Sequence, residues 1–249
     1  MNTHVMRYRG LALFALGVVI AVSACSPSGR KRAYSAERVT IESGGWRIVG
    51  DFVVPHAGAP TAAVVLLNQA AGDRAVYVEL ADQLARCGIA SLRLDLRGHG
   101  ESTNLGRFDP RAGTSILDGS EQDIVAAVTF VTHDRRIDPG RIGFVGASYS
   151  GELMMEAARL TKFGAAYVAL SPGSLSDASI TAIDREHIPF LLVVSRHERH
   201  VAEVVQAVRN QSRMAELLEL NGNEHATDIL VTHRGLAEII AVWFRQQFE

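Results

Sequence analysis

Short apolar runs alternate with longer segments of helical periodicity along residues 38–249. The run Thr61–Leu67 is almost entirely apolar, which is typical of a strand buried on both faces of a parallel sheet. The next stretch, 75–87, has the pattern of an amphipathic helix, and Gly88 ends it. Because the alternation continues to a last predicted helix at 236–248, we predict an α/β fold with a doubly wound, mostly parallel sheet.

The region begins with a different pattern. Residues 38–42 and 46–54 flank Ser43-Gly44-Gly45, and their alternation around a glycine-rich break predicts a β-hairpin. Further strands are predicted at 89–95, 142–145, 164–170, 189–194 and 214–220, with further helices beginning at Ser120, Glu152 and Val201.

The first 24 residues form a separate segment. Arg7 and Arg9 precede the apolar stretch Leu11–Val22, and the small residues Ser23 and Ala24 follow it. This order is typical of a secretory signal, and the apolar stretch is short for a membrane span. We therefore predict a signal peptide at 1–24, a polar tether at 25–37 and one folded domain at 38–249.

The end of the predicted signal, Val22-Ser-Ala-Cys25, resembles a bacterial lipobox. This resemblance implies cleavage before Cys25 and acylation of that residue, which would place the protein in the bacterial cell envelope, facing the periplasm or the cell exterior. Each buried methylene contributes about 0.8 kcal/mol, so several acyl chains would hold the protein on a membrane. The alternative is a simple secretory signal in which Cys25 is incidental. Cys25 and Cys87 are not expected to form a disulfide if Cys25 is acylated.

Composition narrows the possible partners. The chain is 47% hydrophobic and 21% charged, with a formal net charge of −2, and residues 38–249 contain no basic run. A nucleic-acid partner is therefore not predicted.

The strand at 142–145 leads directly into Gly146–Gly151 and then into a predicted helix. A tight turn between a strand and a helix holds a serine with its hydroxyl exposed, next to the N–H groups of the helix N-terminus. Ser148 is therefore a candidate nucleophile. The alternative is a serine that merely caps the helix.

Two motifs resemble the α/β-hydrolase family. Gly146-Ala-Ser148-Tyr-Ser150 resembles its Gly-x-Ser-x-Gly nucleophile elbow, with Ser150 at the last position, and Asp95 to Ser102 matches the family's Asp-x-Arg-Gly-His-Gly-x-Ser signature. The resemblance implies an α/β-hydrolase fold across 38–249, with a mainly structural role for the second motif. It also implies that the N–H groups of Tyr149 and Ala70 form the oxyanion hole, although the chain lacks the usual His-Gly sequence near Ala70.

A serine nucleophile needs a histidine base and a carboxylate that orients it, and in this fold the chain order is Ser, acid, His. His225 is the only downstream histidine that directly follows a late strand and precedes a helix. Glu198 follows the strand at 189–194 and is the predicted acid, because ligands bind beyond the carboxyl ends of parallel strands. Asp177, after the preceding strand, is the second candidate.

No metal or cofactor is predicted. His197, Glu198 and His200 are close in sequence, but their spacing is not that of a His-Glu-x-x-His zinc motif.

The predicted reaction is hydrolysis of small carboxylic esters through an acyl-enzyme. The chain resembles the small dienelactone-hydrolase-like members of the family, although their namesake uses a cysteine where this chain has Ser148. The connection 171–188 is too short for a helical cap with its own buried face, so we expect short loops over the site and a preference for short acyl groups. The alternatives are a serine peptidase or amidase of the prolyl-oligopeptidase type and a non-catalytic binding lipoprotein.

Overall fold

A computed structural model describes residues 34–249 and contains one eight-stranded sheet with strand order β1-β2-β4-β3-β5-β6-β7-β8. The strands are β1 (Tyr34–Ser43), β2 (Trp46–Pro55), β3 (Thr61–Leu67), β4 (Ala90–Leu94), β5 (Ile137–Ala147), β6 (Ala166–Leu170), β7 (Phe190–Ser195) and β8 (Ala215–Leu220). The helices are α1 (Val78–Arg86), α2 (Ser120–His133), α3 (Ser150–Thr161), α4 (Asp177–Arg185), α5 (Ala202–Gln211), α6 (Asp228–Thr232) and α7 (Leu236–Phe248).

The sheet is parallel from β4 to β8, whereas β2 is antiparallel to both β1 and β4. This arrangement confirms the predicted doubly wound, mostly parallel sheet. It also places the carboxyl ends of β3 to β8 along one edge, called the carboxyl edge below, where functional loops are expected.

The predicted hairpin is present, with Gly44 and Gly45 as its two-residue loop. Both glycines have positive φ, 55° and 85°, which this kind of tight hairpin turn requires. Strand β1 begins at Tyr34 rather than at Arg38, because Tyr34 pairs with Pro55 and its hydroxyl donates to Asp82 over 3.0 Å. The last residues of the predicted tether therefore belong to the sheet. The predicted signal peptide, Cys25 and the rest of the tether lie outside the described residues.

Helices cover both faces of the sheet, and strand β3 shows how. All seven of its residues are buried. Alternate side chains such as Val65 and Leu67 pack towards α2 and α3, while Val64 and Leu66 pack towards α1 and α7. A strand between two helical layers needs apolar residues on both faces, which explains its unbroken apolar sequence.

The connection between β6 and β7, where no helix was predicted, contains helix α4. Ile180 and Ile183 of this helix are fully buried in the core beside Phe190, and the Ser176 side chain accepts a hydrogen bond from the Ser179 N–H at its start. This short helix belongs to the core of the domain and does not form a separate unit. The structure therefore has no large cap, as predicted.

The β8–α7 connection, which the sequence analysis assigned no helix, contains the short helix α6. Its residues Ile229 and Leu230 are buried in the core. Within residues 34–249, every helix is too short or too polar to cross a membrane.

Candidate active site

Ser148 occupies a strained turn between β5 and α3. Its φ is +54°, a left-handed conformation that costs a residue other than glycine about 1–3 kcal/mol. The Ser148 N–H donates a hydrogen bond to the Leu170 carbonyl over 3.0 Å. The Ser148 carbonyl accepts hydrogen bonds from the N–H groups of Gly151 and Gly173, each over 3.1 Å. These three backbone hydrogen bonds hold the turn in the conformation that the nucleophile elbow requires.

Close backbone packing explains the glycines of the elbow. A Cβ at Gly146 would lie 2.6 Å from the Ser150 carbonyl oxygen, and a Cβ at Gly151 would lie 2.7 Å from Cβ of Pro172. Ser150 fits where the family motif has glycine because its buried hydroxyl accepts from the Ala147 N–H over 2.8 Å. No side-chain hydrogen bond caps the start of α3, so the helix-capping alternative considered for Ser148 is not what the structure shows.

His225 lies in the loop after β8, and its Nε2 is 2.8 Å from the Ser148 hydroxyl oxygen. The loop is tied to the one after β3, since the Thr227 N–H donates to the Gln69 side-chain oxygen over 3.0 Å. The His225 side chain is 40% exposed, so the serine–histidine pair is open to solvent.

Glu198 lies in the loop after β7, and its Oε1 forms a hydrogen bond with His225 Nδ1. With Nδ1 protonated, His225 Nε2 is free to accept a proton from Ser148. The Glu198 side chain is only 3% exposed. The structure therefore brings together Ser148, His225 and Glu198 in the arrangement that a serine nucleophile needs.

The alternative acid, Asp177, is in the first turn of α4. Its carboxylate accepts a hydrogen bond from the side-chain amide of Gln211 on α5 over 3.0 Å. Within residues 34–249, no group of three His, Cys, Asp or Glu side chains could hold a metal ion.

The two predicted oxyanion donors lie in loops at the carboxyl edge. Ala70 lies in the loop that follows β3. In this loop the Asn68 side chain accepts a hydrogen bond from the Leu96 N–H and donates one to the Gln69 carbonyl, each over 2.9 Å. Among the loop and side-chain hydrogen bonds within residues 34–249, none has the N–H of Ala70 or Tyr149 as its donor. Their role as oxyanion donors stays a prediction.

The ring of Tyr149 stacks on His99, a contact that the sequence did not predict. The ring centroids are 5.8 Å apart, and His99 also stacks on Phe108 at 5.2 Å. The His99 Nδ1 is 2.9 Å from the Arg97 carbonyl oxygen, and burial lowers the pKa of the His99 imidazole. His99 therefore supports the residue next to the nucleophile from within the glycine-rich loop 98–102.

Sequence reasoning also missed Ser171, whose hydroxyl donates to Glu198 Oε2 over 2.6 Å. The signal was available, because Ser171 directly follows β6 and so lies at the carboxyl edge.

The family model described as Serine aminopeptidase, S33, matches residues 58–217, which include Ser148 and Glu198 but end before His225. The chain belongs to this family of α/β-hydrolases. The chain is also similar to proteins described as uncharacterized in two strains of Mycobacterium tuberculosis, at 30% identity over 176 residues. That alignment covers 70% of this chain and 55% of each relative, so the chain spans only about half the length of the curated relatives it matches.

Solved structures share the fold of this chain. A dienelactone hydrolase from Anabaena variabilis superposes with a TM-score of 0.66 at 21% identity, over 87% of this chain and 97% of that one. A dienelactone hydrolase-like promiscuous phosphotriesterase from metagenomic libraries gives 0.67 at 22% identity, over 87% and 100%. An esterase of Pyrococcus furiosus gives 0.67 at 17% identity, over 90% and 96%. These likenesses confirm the fold that the sequence motifs implied.

Proposed function

We propose that this hydrolase cleaves small carboxylic esters with Ser148 as nucleophile, His225 as base and Glu198 as the orienting acid. The observation that carries the proposal is the continuous hydrogen-bonded chain from the Ser148 hydroxyl through both nitrogens of His225 to Glu198. Hydrogen bonding of nucleophile to base, and of base to a third group, is the arrangement expected for an activated serine.

In the proposed reaction, the Ser148 oxygen attacks the ester carbonyl carbon while His225 Nε2 takes the hydroxyl proton. The N–H groups of Tyr149 and Ala70 stabilise the negative charge on the carbonyl oxygen. The tetrahedral intermediate collapses, and His225 returns the proton to the departing alkoxide, which leaves as an alcohol. Water then attacks the acyl-enzyme, with His225 again as base, and releases the carboxylic acid and free Ser148.

The exposure of the site favours small substrates. The His225 side chain is 40% exposed, and helix α4 packs its two isoleucines into the core. A methylene contributes about 0.8 kcal/mol only when it leaves water, so a long acyl chain gains little at an open site. We expect kcat/KM to be highest for short acyl esters, and a steady rise beyond octanoyl would contradict this expectation.

A second candidate is hydrolysis of peptide or amide bonds, which the description of the matching family favours. A third is binding without catalysis on the same fold. The same triad would attack an amide, so the geometry alone leaves the choice to experiment.

The test is a panel of p-nitrophenyl esters from acetyl to palmitoyl, run beside aminoacyl p-nitroanilides and a Ser148→Ala variant. Faster turnover of esters that is lost in the variant would support the proposal. Faster turnover of anilides would favour the peptidase. A folded protein that turns over neither class, and whose Ser148 a fluorophosphonate does not label, would overturn the catalytic proposal.

We also propose that the mature chain is acylated at Cys25 and held at a membrane of the bacterial envelope. The proposal rests on the resemblance of Val22-Ser-Ala-Cys25 to a lipobox. Cys25→Ala should move the protein from the membrane fraction to the soluble fraction, and unchanged fractionation would overturn the proposal.

A further inference from the structure

Both carboxylate oxygens of Glu198 have a partner in the structure. Oε1 forms a hydrogen bond with His225 Nδ1, and Oε2 accepts a hydrogen bond from the Ser171 hydroxyl over 2.6 Å. Ser171 is fully buried. A hydrogen bond of this length between a buried hydroxyl and a carboxylate belongs to the strong, charge-assisted class.

The backbone at Ser171 is strained in a way that the hydroxyl helps to explain. Its φ is +39°, in the left-handed region that glycine adopts with less steric strain than serine. The Ser171 N–H donates to the Val193 carbonyl of β7 over 2.9 Å, which fixes the residue beside the strand that leads to Glu198. Glycine would relieve this strain but has no hydroxyl. Serine at this position therefore gives Glu198 a hydrogen-bond donor that glycine could not supply.

A glutamate also needs such a partner more than an aspartate would. Its extra rotatable bond adds side-chain freedom that must be lost before the carboxylate can orient a histidine. A hydroxyl that donates a hydrogen bond to the second oxygen restricts the carboxylate and holds the first oxygen against His225.

We propose that Ser171 is a positioning residue that fixes the Glu198 carboxylate against His225. This inference rests on the proposed function, because it gives Ser171 a role only if Glu198 is the acid of a working triad. Ser171 acts through Glu198 and is not itself expected to touch the substrate.

The test compares Ser171→Ala and Ser171→Gly with the wild type, using the ester that the wild type turns over fastest. Loss of a hydrogen bond to a charged group should lower kcat about 10- to 100-fold, with KM little changed. Glycine adopts the left-handed backbone conformation without steric strain. A loss of activity in Ser171→Gly could therefore not be attributed to a strained or unfolded turn.

Ser43 provides a matched control, because its buried hydroxyl donates to the Asp123 carboxylate over 2.7 Å, outside the triad. Ser43→Ala should lower thermal stability and leave kcat near the wild-type value. A loss of kcat as large as that of Ser171→Ala would overturn the specific role of Ser171.

A double-mutant cycle separates positioning from general structural support. In a Glu198→Ala background, Ser171→Ala should cause little further loss of kcat, whereas an independent structural effect would multiply the two losses. Full activity of both Ser171 variants, with Glu198→Ala strongly impaired, would overturn the inference and leave the proposed triad intact. Full activity of Glu198→Ala would overturn both.

Discussion

Two buried clusters of charged and polar side chains lie near the carboxyl edge of the sheet, and they differ in how their carboxylates are neutralised. The loop cluster consists of Asp95 with Arg74 and of Asp123 with Arg97 and Ser43. The triad cluster consists of Ser148, Ser171, Glu198 and His225. Asp95, Asp123 and Glu198 are all buried.

In the loop cluster, each carboxylate meets a guanidinium. Arg97 donates to both oxygens of Asp123, at 2.7 and 2.9 Å, and Ser43 adds a third hydrogen bond. Burial raises the pKa of Asp95, and hydrogen bonds and the positive charge of Arg74 oppose that shift. The Arg97–Asp123 pair and Ser43 join the loop after β4 to α2 and β1, and the Arg74–Asp95 pair joins it to the segment after β3. Nothing in these ion pairs requires a proton to move.

In the triad cluster, the hydrogen bonds to Glu198 come from a histidine and a serine. Within residues 34–249, no arginine or lysine forms an ion pair with Glu198. An unneutralised buried carboxylate can stabilise positive charge that appears on His225 only during the reaction. A permanent cation beside a buried carboxylate favours stability, whereas a histidine partner leaves the carboxylate available for the proposed reaction.

Glu198→Ala removes the carboxylate of the triad cluster and should lower kcat about 10⁴-fold, because His225 loses its orienting charge. Initial rates on the best ester measure the effect. Asp177→Ala is the control and should be nearly as active as the wild type, since that carboxylate bonds to Gln211. An impaired Asp177 variant beside an active Glu198 variant would reverse the assignment of the acid.

The reciprocal change in the loop cluster is Asp123→Ala, which leaves Arg97 buried without its carboxylate. Breaking a buried ion pair by removing one partner costs about 3–5 kcal/mol, so we expect the free energy of unfolding to fall by that amount. Urea unfolding measures it. Glu37→Ala removes an exposed partner of Arg136 and should cost less than about 1 kcal/mol. Equal losses in the two variants would contradict the structural role assigned to Asp123.

The smallest expected effect concerns the pH dependence of stability at His99. Burial holds the pKa of folded His99 below the ordinary value of about 6.5, so the unfolded chain binds the proton first as the pH falls. The free energy of unfolding should therefore fall with decreasing pH below about 6.5, and the contribution of His99 is present above this window.

His99→Phe keeps an aromatic ring in the stack and removes the titrating group. The variant should show a shallower loss of stability between neutral and mildly acidic pH, measured by urea unfolding at several pH values. An identical slope in the two proteins would contradict the assignment.

The sequence predicted features that depend on local pattern. The seven buried residues of β3 form an apolar run, and the elbow around Ser148 combines a strand, small residues and a helix in one short stretch. His225 was identifiable by its position after the last strand. These signals are local because strand burial and tight turns restrict which residues can occupy consecutive positions.

Other features depend on contacts between distant residues. The sequence left Glu198 and Asp177 as alternatives, since each follows a strand, and only the three-dimensional arrangement puts Glu198 beside His225. The Ser171 hydrogen bond and the stacking of His99 on Tyr149 likewise join separate loops. Helix α4 is different, because it has a local signal in the capping residue Ser176 and the helical spacing of Ile180 and Ile183.

The direction of β1 has a consequence for how an anchored enzyme would meet its substrates. Tyr34 pairs with Pro55, which places the start of β1 at the edge of the sheet opposite Ser148. The chain that precedes Tyr34 thus joins the domain on the side away from the active site. An acyl anchor at Cys25, as proposed, would favour an orientation in which the catalytic serine faces outward from the bilayer. Such an enzyme would sample esters dissolved in the surrounding aqueous compartment, and the lipids of its own membrane would be poorly placed to reach it.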